Sequence, residues 1–377
     1  MKIAILGLGT VGSGVFEGVR YLQNVEVTRV LDRHQRTAVS TNRFEDILGD
    51  GDIALIVETM GGLHPAYEYA VAAIQSGRHF VTANKQLVSA CGAELVALAR
   101  RHGVAFLYNA ACGGGIPFLH NLALARSSDH ITELGGILNG TTNFILDAMT
   151  QRGADYMAVL SEAQMLGYAE RDPSGDVEGT DTMRKLVLAC AVGFNAFVRE
   201  EDIPTFGISR ILPADIANAA RKGCVLKLCA SASLDEGGLS ACVEPTLVSR
   251  DAPEAAVHRN LNYACYRGDG CGEMNFSGQG AGKLPTASNV LRDICCIQGG
   301  RFYLTDESCR EVSIRRDALR RYCLRVPERT EVPEAWIGTR LTDGKLDFIE
   351  TVDVPVWDMH AFAKKNPRAF FAGIRKD

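Results

Sequence analysis

The sequence predicts an α/β fold built on a doubly wound, mostly parallel sheet, and three observations lead to this prediction. Short apolar runs alternate with helical patterns from the N-terminus to residue 108, an order typical of parallel sheets covered by helices. A glycine-rich turn follows the first apolar run. The chain has 377 residues, of which 46% are hydrophobic, so it can form two or three domains with a core each.

The glycine-rich turn indicates what the first domain binds. An apolar strand at 2–6 leads into G-L-G-T-V-G at 7–12, a helix follows to about residue 20, and a second strand at 25–31 precedes an acid. This is the G-x-G-x-x-G pattern with a strand before it, a helix after it and an acid about twenty residues on. A glycine-rich turn without a ligand is the alternative, but the full context favours a Rossmann-type dinucleotide site.

Each residue of this turn has an expected role in coenzyme binding. Gly7 makes the turn tight, Gly9 lets the backbone approach a pyrophosphate, and Gly12 lets the helix pack closely on the strand. Thr10 and Val11 begin the helix, whose N-terminus would face the phosphate charge.

The acid after the second strand bears on the choice of coenzyme. Asp32 is placed to accept hydrogen bonds from both ribose hydroxyls and to repel a 2′-phosphate, which favours NAD. Arg33 and Arg36 follow at once, and an arginine in this place can hold the phosphate instead. NAD is therefore the favoured coenzyme, and NADP stays open.

The α/β alternation continues, with predicted strands at 52–58, 79–82 and 104–108 and predicted helices at 65–76 and 93–102. Ligands of such sheets bind at the carboxyl ends of the strands. The polar residues that follow these ends are candidates for coenzyme contact: Thr59, Gly61, Asn84 and Lys85. A lysine is usually solvated, but Lys85 directly follows a strand end at the coenzyme edge, which favours a function.

Composition excludes several classes of protein. The net charge is −5 and no long basic run occurs, so nothing indicates a nucleic-acid or anionic-membrane partner. The N-terminus has no signal-peptide pattern, and no apolar run reaches the roughly 18 residues of a membrane span; we expect a cytoplasmic protein. The twelve cysteines sit singly apart from Cys295 and Cys296, without a C-x-x-C pair, so we expect neither disulfides nor a zinc site.

An acid-rich segment, L-G-Y-A-E-R-D-P-S-G-D-V-E-G-T-D-T-M-R-K-L at 166–186, indicates a second site. A helix from about residue 180 to 188 places Asp181 and Lys185 four positions apart on one face. Glu170 precedes the Pro-Ser-Gly turn and is expected to fold back over that face. Two acids and a lysine suit a zwitterionic substrate, whereas a surface loop with an ordinary i,i+4 ion pair is the alternative that spacing alone leaves open.

Taken together, the motifs resemble those of the homoserine dehydrogenase family. The matching segments occur in the family's order from residue 1 to about 300: GLGTVG at 7–12, TANKQLV at 82–88, GGGIP at 113–117, GGILNGTTNFIL at 135–146, GYAERDPSGDVEGTDTMRKL at 167–186 and GQGAGKLPTASNVLRDI at 278–294. The resemblance implies an NAD(P)-dependent oxidoreductase that interconverts L-homoserine and L-aspartate 4-semialdehyde on the route to threonine, methionine and isoleucine.

The resemblance also implies roles for single residues. Lys185 is the acid/base candidate, Asp181 orients it or the substrate hydroxyl, and Lys85 lies beside the nicotinamide, where it contacts substrate or shares proton transfer. The remaining positions implied for the pocket are Glu170 for the substrate ammonium, with Asp176, Tyr168, Asn139, Gly140 and Thr141 as further substrate-binding candidates, and Gly280 on the coenzyme side.

The domain organisation follows from the glycine-rich loop at 278–282, which should return the chain to the coenzyme domain. We predict a dinucleotide-binding domain at 1–125 completed by about 278–305, and an inserted α+β substrate and dimerisation domain at 126–277. Residues 306–377 read as a short, degenerate ACT-like module, so feedback control by threonine is not supported. The family habit implies a homodimer.

The sequence departs from the family at one candidate ligand site. Asn109 stands where the family usually has a glutamate that helps to hold a monovalent cation. A cation near Asn109 and Cys112 is therefore in doubt, and no other metal site is expected. Such departures leave two alternatives to the implied activity: a related dehydrogenase for another amino-acid alcohol or aldehyde, and a non-catalytic NAD-binding homologue.

Overall fold

Six parallel strands form the first sheet of the computed structural model, which describes residues 1–375. Their order across the sheet is β3-β2-β1-β4-β5-β6. In chain order the strands are β1 Lys2–Leu6, β2 Glu26–Leu31, β3 Ser40–Thr41, β4 Ile53–Glu58, β5 His79–Thr82 and β6 Phe106–Leu107. The centres of β1 and β4 are fully buried because both are continuous apolar runs, as expected for strands covered on both faces. The predicted doubly wound parallel sheet is confirmed.

Helices connect these strands and continue into the rest of the chain. They are α1 Thr10–Gly18, α2 Glu45–Leu48, α3 Ala66–Gln75, α4 Lys85–Arg101 and α5 Phe118–Arg126. The strand order reverses between β1 and β4, so the ligand crevice of this sheet lies outside the carboxyl ends of these two strands.

Helix α4 is longer than the sequence pattern predicted, since it begins at Lys85 and not at residue 93. The start is set by Asn84, whose side-chain oxygen accepts a hydrogen bond from the Leu87 backbone N–H at 3.1 Å. Ser89, Cys91 and Gly92 weaken the helical signal of the first turns. Glycine at position 92 allows α4 to pack closely on Phe197, because a Cβ there would lie 2.7 Å from a Phe197 ring carbon.

The inserted part of the chain contributes most of a nine-stranded sheet with order β12-β11-β7-β9-β10-β19-β15-β17-β16. Its strands are β7 Ile131–Ile137, β9 Cys224–Asp235, β10 Gly238–Ser249, β11 Leu261–Gly268, β12 Gly272–Gln279, β15 Tyr322–Pro327, β16 Ile337–Asp343, β17 Leu346–Thr351 and β19 Phe370–Ile374. Short strands β8 Ala196–Phe197, β13 Arg310–Glu311, β14 Leu319–Arg320 and β18 Val354–Pro355 form two further pairs.

The helices of this second region are α6 Gly140–Arg152, α7 Tyr156–Met165, α8 Ser174–Val177, α9 Thr180–Gly193, α10 Pro213–Arg221 and α12 Val356–Lys365, and α11 Lys283–Gln298 follows β12 in the chain. Helix α9 is buried along most of its length and packs against α4, α5 and the nine-stranded sheet. It therefore joins the two halves of the molecule. Within residues 1–375, no helix has the length and apolar character that a membrane crossing requires.

Helix α11 returns to the first sheet and packs on α1, as the glycine-rich loop at 278–282 predicted. The two helices approach closely, because a Cβ on Gly14 would lie 2.8 Å from the Lys283 carbonyl oxygen. The chain thus leaves the coenzyme half after α5 and comes back to it through α11.

The C-terminal strands extend the second sheet directly. Strand β19 pairs in parallel with β10, and a buried ion pair joins Arg325 on β15 to Asp215 on α10 at 2.8 Å. The fully buried Glu244 on β10 holds Arg320 at 2.6 Å and His360 at 3.0 Å. The tail is therefore packed on the substrate region by charge pairs, while its ACT-like character stays a prediction.

Candidate active site

A buried carboxylate, Asp181, joins two lysines that come from different halves of the fold. Its Oδ1 lies 2.8 Å from the Lys85 Nζ, and its Oδ2 lies 2.7 Å from the Lys185 Nζ. Lys85 begins α4 beside the first sheet, whereas Asp181 and Lys185 lie one turn apart on α9. The structure therefore brings together the three predicted catalytic residues.

The start of α9 explains how the sequence places Asp181. Gly179 precedes the helix in the left-handed region with φ 89°, a conformation that favours glycine. Its α-carbon faces the side chains of Thr205 and Val243, so the turn is packed on the second region. Asp181 then occupies the first helical turn, where a negative charge is favourable, and Lys185 follows at i+4.

The charges of this cluster are coupled. Burial alone would raise the pKa of Asp181, but the nearby ammonium groups of Lys185 and Lys85 outweigh it and hold that pKa well below its usual range. The Asp181 carboxylate in turn raises the pKa of Lys85. Asp181 is thus ionised at any physiological pH, and Lys85 is held in its charged form.

The two lysines differ in their surroundings. The Lys185 side chain is 10% exposed and also donates a 2.6 Å hydrogen bond to the Leu138 carbonyl. The Lys85 side chain is 40% exposed. Lys185 is therefore fixed within the protein, while Lys85 connects the same carboxylate to solvent.

Asn139 links this cluster to a second acid. Its Nδ2 donates to Asp176 at 2.7 Å and to Asp181 at 2.9 Å. Its Oδ1 accepts from the Thr142 backbone N–H at 2.9 Å and so caps α6, a role that asparagine commonly takes. Burial raises the pKa of Asp176, and the nearby Asp181 charge acts in the same direction.

The other predicted substrate residues lie around this cluster in different ways. Gly140 begins α6, and Thr141 donates its hydroxyl to the Tyr168 carbonyl at 2.5 Å. The Tyr168 ring is partly exposed. The Glu170 carboxylate is exposed and makes no hydrogen bond or ion pair with any residue from 1 to 375. The expected folding back of Glu170 over α9 is therefore absent, and its substrate contact remains a prediction.

The glycine-rich turn has the shape that a dinucleotide requires. Gly7 has φ 91°, and a Cβ on Gly12 would lie 1.9 Å from the Gly7 carbonyl oxygen. A Cβ on Gly9 would meet no atom within 4 Å, so this position opens to the crevice. Thr10 and Val11 form the first turn of α1, which contains no acid. These observations fit a pyrophosphate at the helix N-terminus.

Asp32, the acid after β2, is paired with an arginine from the loop that follows. The Arg36 guanidinium holds both carboxylate oxygens, each at 2.9 Å, and the Arg36 backbone N–H adds a third hydrogen bond at 3.1 Å. This pairing lowers the pKa of Asp32. Arg33 is exposed and makes no ion pair with any described residue. The loop after β2 thus brings Arg36 onto Asp32, and the contacts of Asp32 with the ribose hydroxyls and of Arg33 or Arg36 with a 2′-phosphate remain predictions.

Two loops at the carboxyl ends of β4 and β5 complete the coenzyme edge. The Thr59 hydroxyl donates to the Gly7 carbonyl at 2.9 Å, and Gly61 adopts φ 74°. Asn84 caps α4 and donates to the Gly62 carbonyl at 2.6 Å. These predicted coenzyme residues lie in adjoining loops, but no contact with a coenzyme is shown.

Sequence reasoning missed Glu58, which anchors these loops. It is fully buried, and its carboxylate accepts hydrogen bonds from the Met60 and Gly61 backbone N–H groups at 2.7 and 3.1 Å. Its other oxygen accepts from the Thr82 hydroxyl at 2.5 Å. The available signal was an acid at the end of an otherwise apolar strand, D-I-A-L-I-V-E.

On the other side of the crevice, two glycine-rich loops touch each other. A Cβ on Gly280 would lie 2.0 Å from the Asn262 side chain, and a Cβ on Gly114 would lie 2.3 Å from the Gly280 carbonyl carbon. Glycine is needed at both places because the backbones approach so closely. Gly280 thus lies where the returning chain meets the GGGIP segment.

The region of the predicted cation is occupied by protein contacts. The Asn109 side-chain oxygen accepts from the His120 backbone N–H at 3.1 Å, and the Asn109 N–H donates to Asp293 at the same distance. Cys112 donates its thiol to the Lys185 carbonyl. Within residues 1–375, no group of three His, Cys, Asp or Glu side chains could hold a metal ion, and no disulfide is formed. The doubt about a monovalent cation near Asn109 and Cys112, which the sequence raised, therefore stands untested.

Comparisons with known proteins agree with this geometry. Residues 7–109 match the family model "Homoserine dehydrogenase, NAD binding domain" and residues 117–295 match the model "Homoserine dehydrogenase". A homoserine dehydrogenase of Synechocystis is 42% identical over 79% of this chain and 73% of that relative, and one of Bacillus subtilis is 38% identical over 79% and 72%.

Solved structures extend the likeness to the whole chain. The crystal structure of a homoserine dehydrogenase from Thiobacillus denitrificans has a TM-score of 0.88 at 30% identity, covering 100% of this chain and 98% of that one. A homoserine dehydrogenase from S. aureus has a TM-score of 0.78 at 27% identity, covering 100% and 99%. The C-terminal strands of this chain are therefore included in both likenesses.

Proposed function

This chain belongs to the homoserine dehydrogenase family, and from that membership we propose that it interconverts L-homoserine and L-aspartate 4-semialdehyde with NAD or NADP. The observation that supports the proposal most directly is the Asp181 carboxylate, which holds Lys85 and Lys185 within 2.8 Å at the junction of the coenzyme half and the acid-rich segment. The same cluster argues against a non-catalytic homologue, because every charged group of the expected chemistry is present.

The bound nicotinamide would supply or accept the hydride at the substrate's carbonyl or alcohol carbon. Reduction of an aldehyde builds negative charge on the substrate oxygen, and a fixed ammonium stabilises that charge. We assign this part to Lys185, whose position is set by Asp181 and the Leu138 carbonyl. In the reducing direction Lys185 gives a proton to the substrate oxygen, and in the oxidising direction it removes the hydroxyl proton.

Asp181 and Lys85 support this proton transfer. A carboxylate that bridges the two ammonium groups keeps both aimed at one point of the crevice. Because Lys85 is the more exposed of the two lysines, we assign it to substrate contact or to passing protons between the cluster and solvent.

The substrate ammonium needs acidic partners. Asp176 and Asp181 accept hydrogen bonds from the same Asn139 side-chain amide. Glu170 is exposed on the loop before α8. We propose that both contribute negative charge around the ammonium, with the loop carrying Glu170 closing on the substrate. Tyr168, Gly140 and Thr141 would form the neighbouring wall.

We further propose a homodimer formed through the nine-stranded sheet. A groove of about 320 Å³ crosses strands β7, β9, β10 and β11, with Cys229, Ser231 and Cys265 among its lining residues. Gly135 and Gly136 of β7 also line this groove, and we propose that a second copy packs over this part of the sheet. Sedimentation of the purified protein should give twice the chain mass, whereas a monomer would contradict the proposal.

A cytoplasmic location is proposed on the family habit alone.

The activity is tested by following the absorbance of reduced nicotinamide. The protein is incubated at alkaline pH with L-homoserine and either NAD or NADP, with L-serine and L-threonine as matched controls. Reduction of coenzyme with homoserine and little with the controls is expected. A folded protein that binds NADH but reduces no coenzyme with homoserine would contradict the proposed activity.

A further inference from the structure

Glu58 is a fully buried carboxylate that the proposed mechanism does not use. It is the last residue of β4, and it accepts hydrogen bonds from neutral donors: the Met60 and Gly61 backbone N–H groups and the Thr82 hydroxyl. Burial raises the pKa of Glu58 despite these donors. A buried acid without a cation partner costs stability. A role of Glu58 in the site therefore explains its presence better than a role in folding does.

The hydrogen bonds of Glu58 belong to a closed ring. Thr82 lies opposite Glu58 at the end of the neighbouring strand β5, and its hydroxyl also accepts from the Asn84 backbone N–H at 2.9 Å. The Asn84 side chain donates to the Gly62 carbonyl at 2.6 Å and accepts from the Leu87 N–H at 3.1 Å. The ring therefore ties the loop after β4 to the N-terminus of α4.

Two parts of the active site depend on this ring. Helix α4 starts with Lys85, whose ammonium reaches Asp181 at 2.8 Å across the junction of the two halves. The loop after β4 packs on the dinucleotide turn, since a Cβ on Gly7 would lie 2.9 Å from the Met60 Cγ. A small shift of the ring would move both the lysine and the loop.

We propose that Glu58 is a positioning residue that holds Lys85 and the coenzyme loop at 60–62 in place before substrate binds. A carboxylate has only acceptor sites, so it can take N–H and O–H donors from both loops at once, whereas a glutamine offers a single acceptor oxygen. Preorganisation of this kind spares the enzyme the cost of arranging the site during the reaction. The part that concerns Lys85 rests on the proposed function.

The test is a double-mutant cycle between Glu58 and Lys85. E58Q is measured in the natural background and in the K85A background, with kcat and KM for homoserine determined separately. If Glu58 acts through Lys85, E58Q lowers kcat/KM by about 100-fold in the natural background, the loss typical of a displaced catalytic group, and by a much smaller factor when Lys85 is absent. Equal losses in both backgrounds would overturn the proposal.

Two controls separate positioning from a general loss of structure. E244Q alters another fully buried carboxylate, whose partners are Arg320 and His360; its effect should be the same with and without Lys85. T82V removes the hydroxyl that Glu58 accepts from, and T82S keeps it. T82V should lose activity as E58Q does, and T82S should keep the activity of the natural protein. This pair tests the proposal even if E58Q does not fold. Full activity in T82V would overturn the proposal.

A binding measurement keeps this inference distinct from the proposed activity. If the natural protein does not oxidise homoserine, the proposed function fails, but the loop can still be examined by NADH fluorescence. Weaker NADH binding in E58Q than in E244Q would support the role of Glu58 at the coenzyme loop. NADH binding that is unchanged in E58Q and T82V would overturn it.

Discussion

Two buried carboxylates, Asp181 on α9 and Glu58 on β4, lie on the two sides of the same site and have opposite electrostatic surroundings. Asp181 lies between two ammonium groups, which lower its pKa against the effect of burial. Glu58 accepts only from neutral donors, and burial raises its pKa. Burial raises the pKa of both carboxylates, and the charge of the nearest partners decides the sign of the final shift.

The difference separates a carboxylate that contacts the lysines proposed for the chemistry from one that contacts only the surrounding loops and the neighbouring strand. The Asp181 carboxylate accepts a hydrogen bond from Lys185 and pairs with the Lys85 ammonium, and both lysines are able to move protons. Glu58 binds backbone N–H groups and a hydroxyl, which do not titrate in the working range. We expect changes at the α9 side to alter the chemistry, and changes at the β4 side to alter the geometry in which the chemistry occurs.

The largest effect is expected at Lys185. Lys185→Ala removes the group assigned to proton transfer, so kcat should fall by about 10²–10⁴-fold, the usual contribution of general acid–base catalysis. NADH binding should be unchanged, because Lys185 lies on α9 and not on the coenzyme turn. Lys222→Ala, which removes a surface lysine paired with Glu350, serves as the control. Unaltered turnover in the Lys185 variant would remove it from the mechanism.

The pH dependence of the cluster should change next. Asp181 raises the pKa of Lys85, so Asp181→Asn lowers that pKa and moves the Lys85-dependent alkaline limb of the kcat/KM profile to lower pH. Asp176→Asn should shift the same limb less, since Asp176 is a weaker influence on Lys85. Profiles of kcat/KM against pH for both variants test this order, and an equal shift would show that Asp181 has no special link to Lys85.

The coenzyme choice should depend on the Asp32–Arg36 pair. Arg36→Ala exposes the Asp32 charge and removes a donor for a 2′-phosphate, so NADPH binding should weaken by about 10-fold, equivalent to the loss of one charge-assisted hydrogen bond. Asp32→Ala should instead weaken NADH more than NADPH. Dissociation constants from coenzyme fluorescence check both, and the same ratio in the two variants would contradict a selective role for the pair.

The smallest effect is expected in the stability of Glu58→Gln. A carboxyl group whose pKa is raised on folding binds its proton more strongly in the folded state, so its contribution to stability falls as pH rises above the unfolded pKa of about 4.3. The glutamine variant lacks this fall. Its free energy of unfolding relative to that of the natural protein should therefore increase from pH 4 to 7, by about 1.4 kcal/mol for each unit of pKa difference, as measured by denaturant unfolding at each pH. A constant difference across this range would argue against a raised pKa.

Sequence reasoning identified the reacting groups better than their supports. Asp181 and Lys185 could be paired from their i,i+4 spacing, and the glycine-rich turn had a recognisable context. The pairing of Arg36 with Asp32 and the contacts of Glu58 were not foreseen, because these partners are set by a loop and by a neighbouring strand. Glu170 was expected to fold back on the helix, but the turn leaves it exposed.

The sequence by itself determined the α/β alternation, the dinucleotide turn, the capped start of α6 and the helix that carries Asp181 and Lys185. These features depend on local spacing, on glycine conformation and on capping, which act within a few residues. Only the tertiary structure decided that Lys85 meets Asp181, that Arg36 covers Asp32, and that Glu58 closes a ring with Thr82. The Lys85–Asp181 and Glu58–Thr82 contacts join segments that are distant in the chain and are brought together by the packing of α9 and of the strands, whereas the Arg36–Asp32 contact depends on the conformation of an irregular loop, which has no periodic signal.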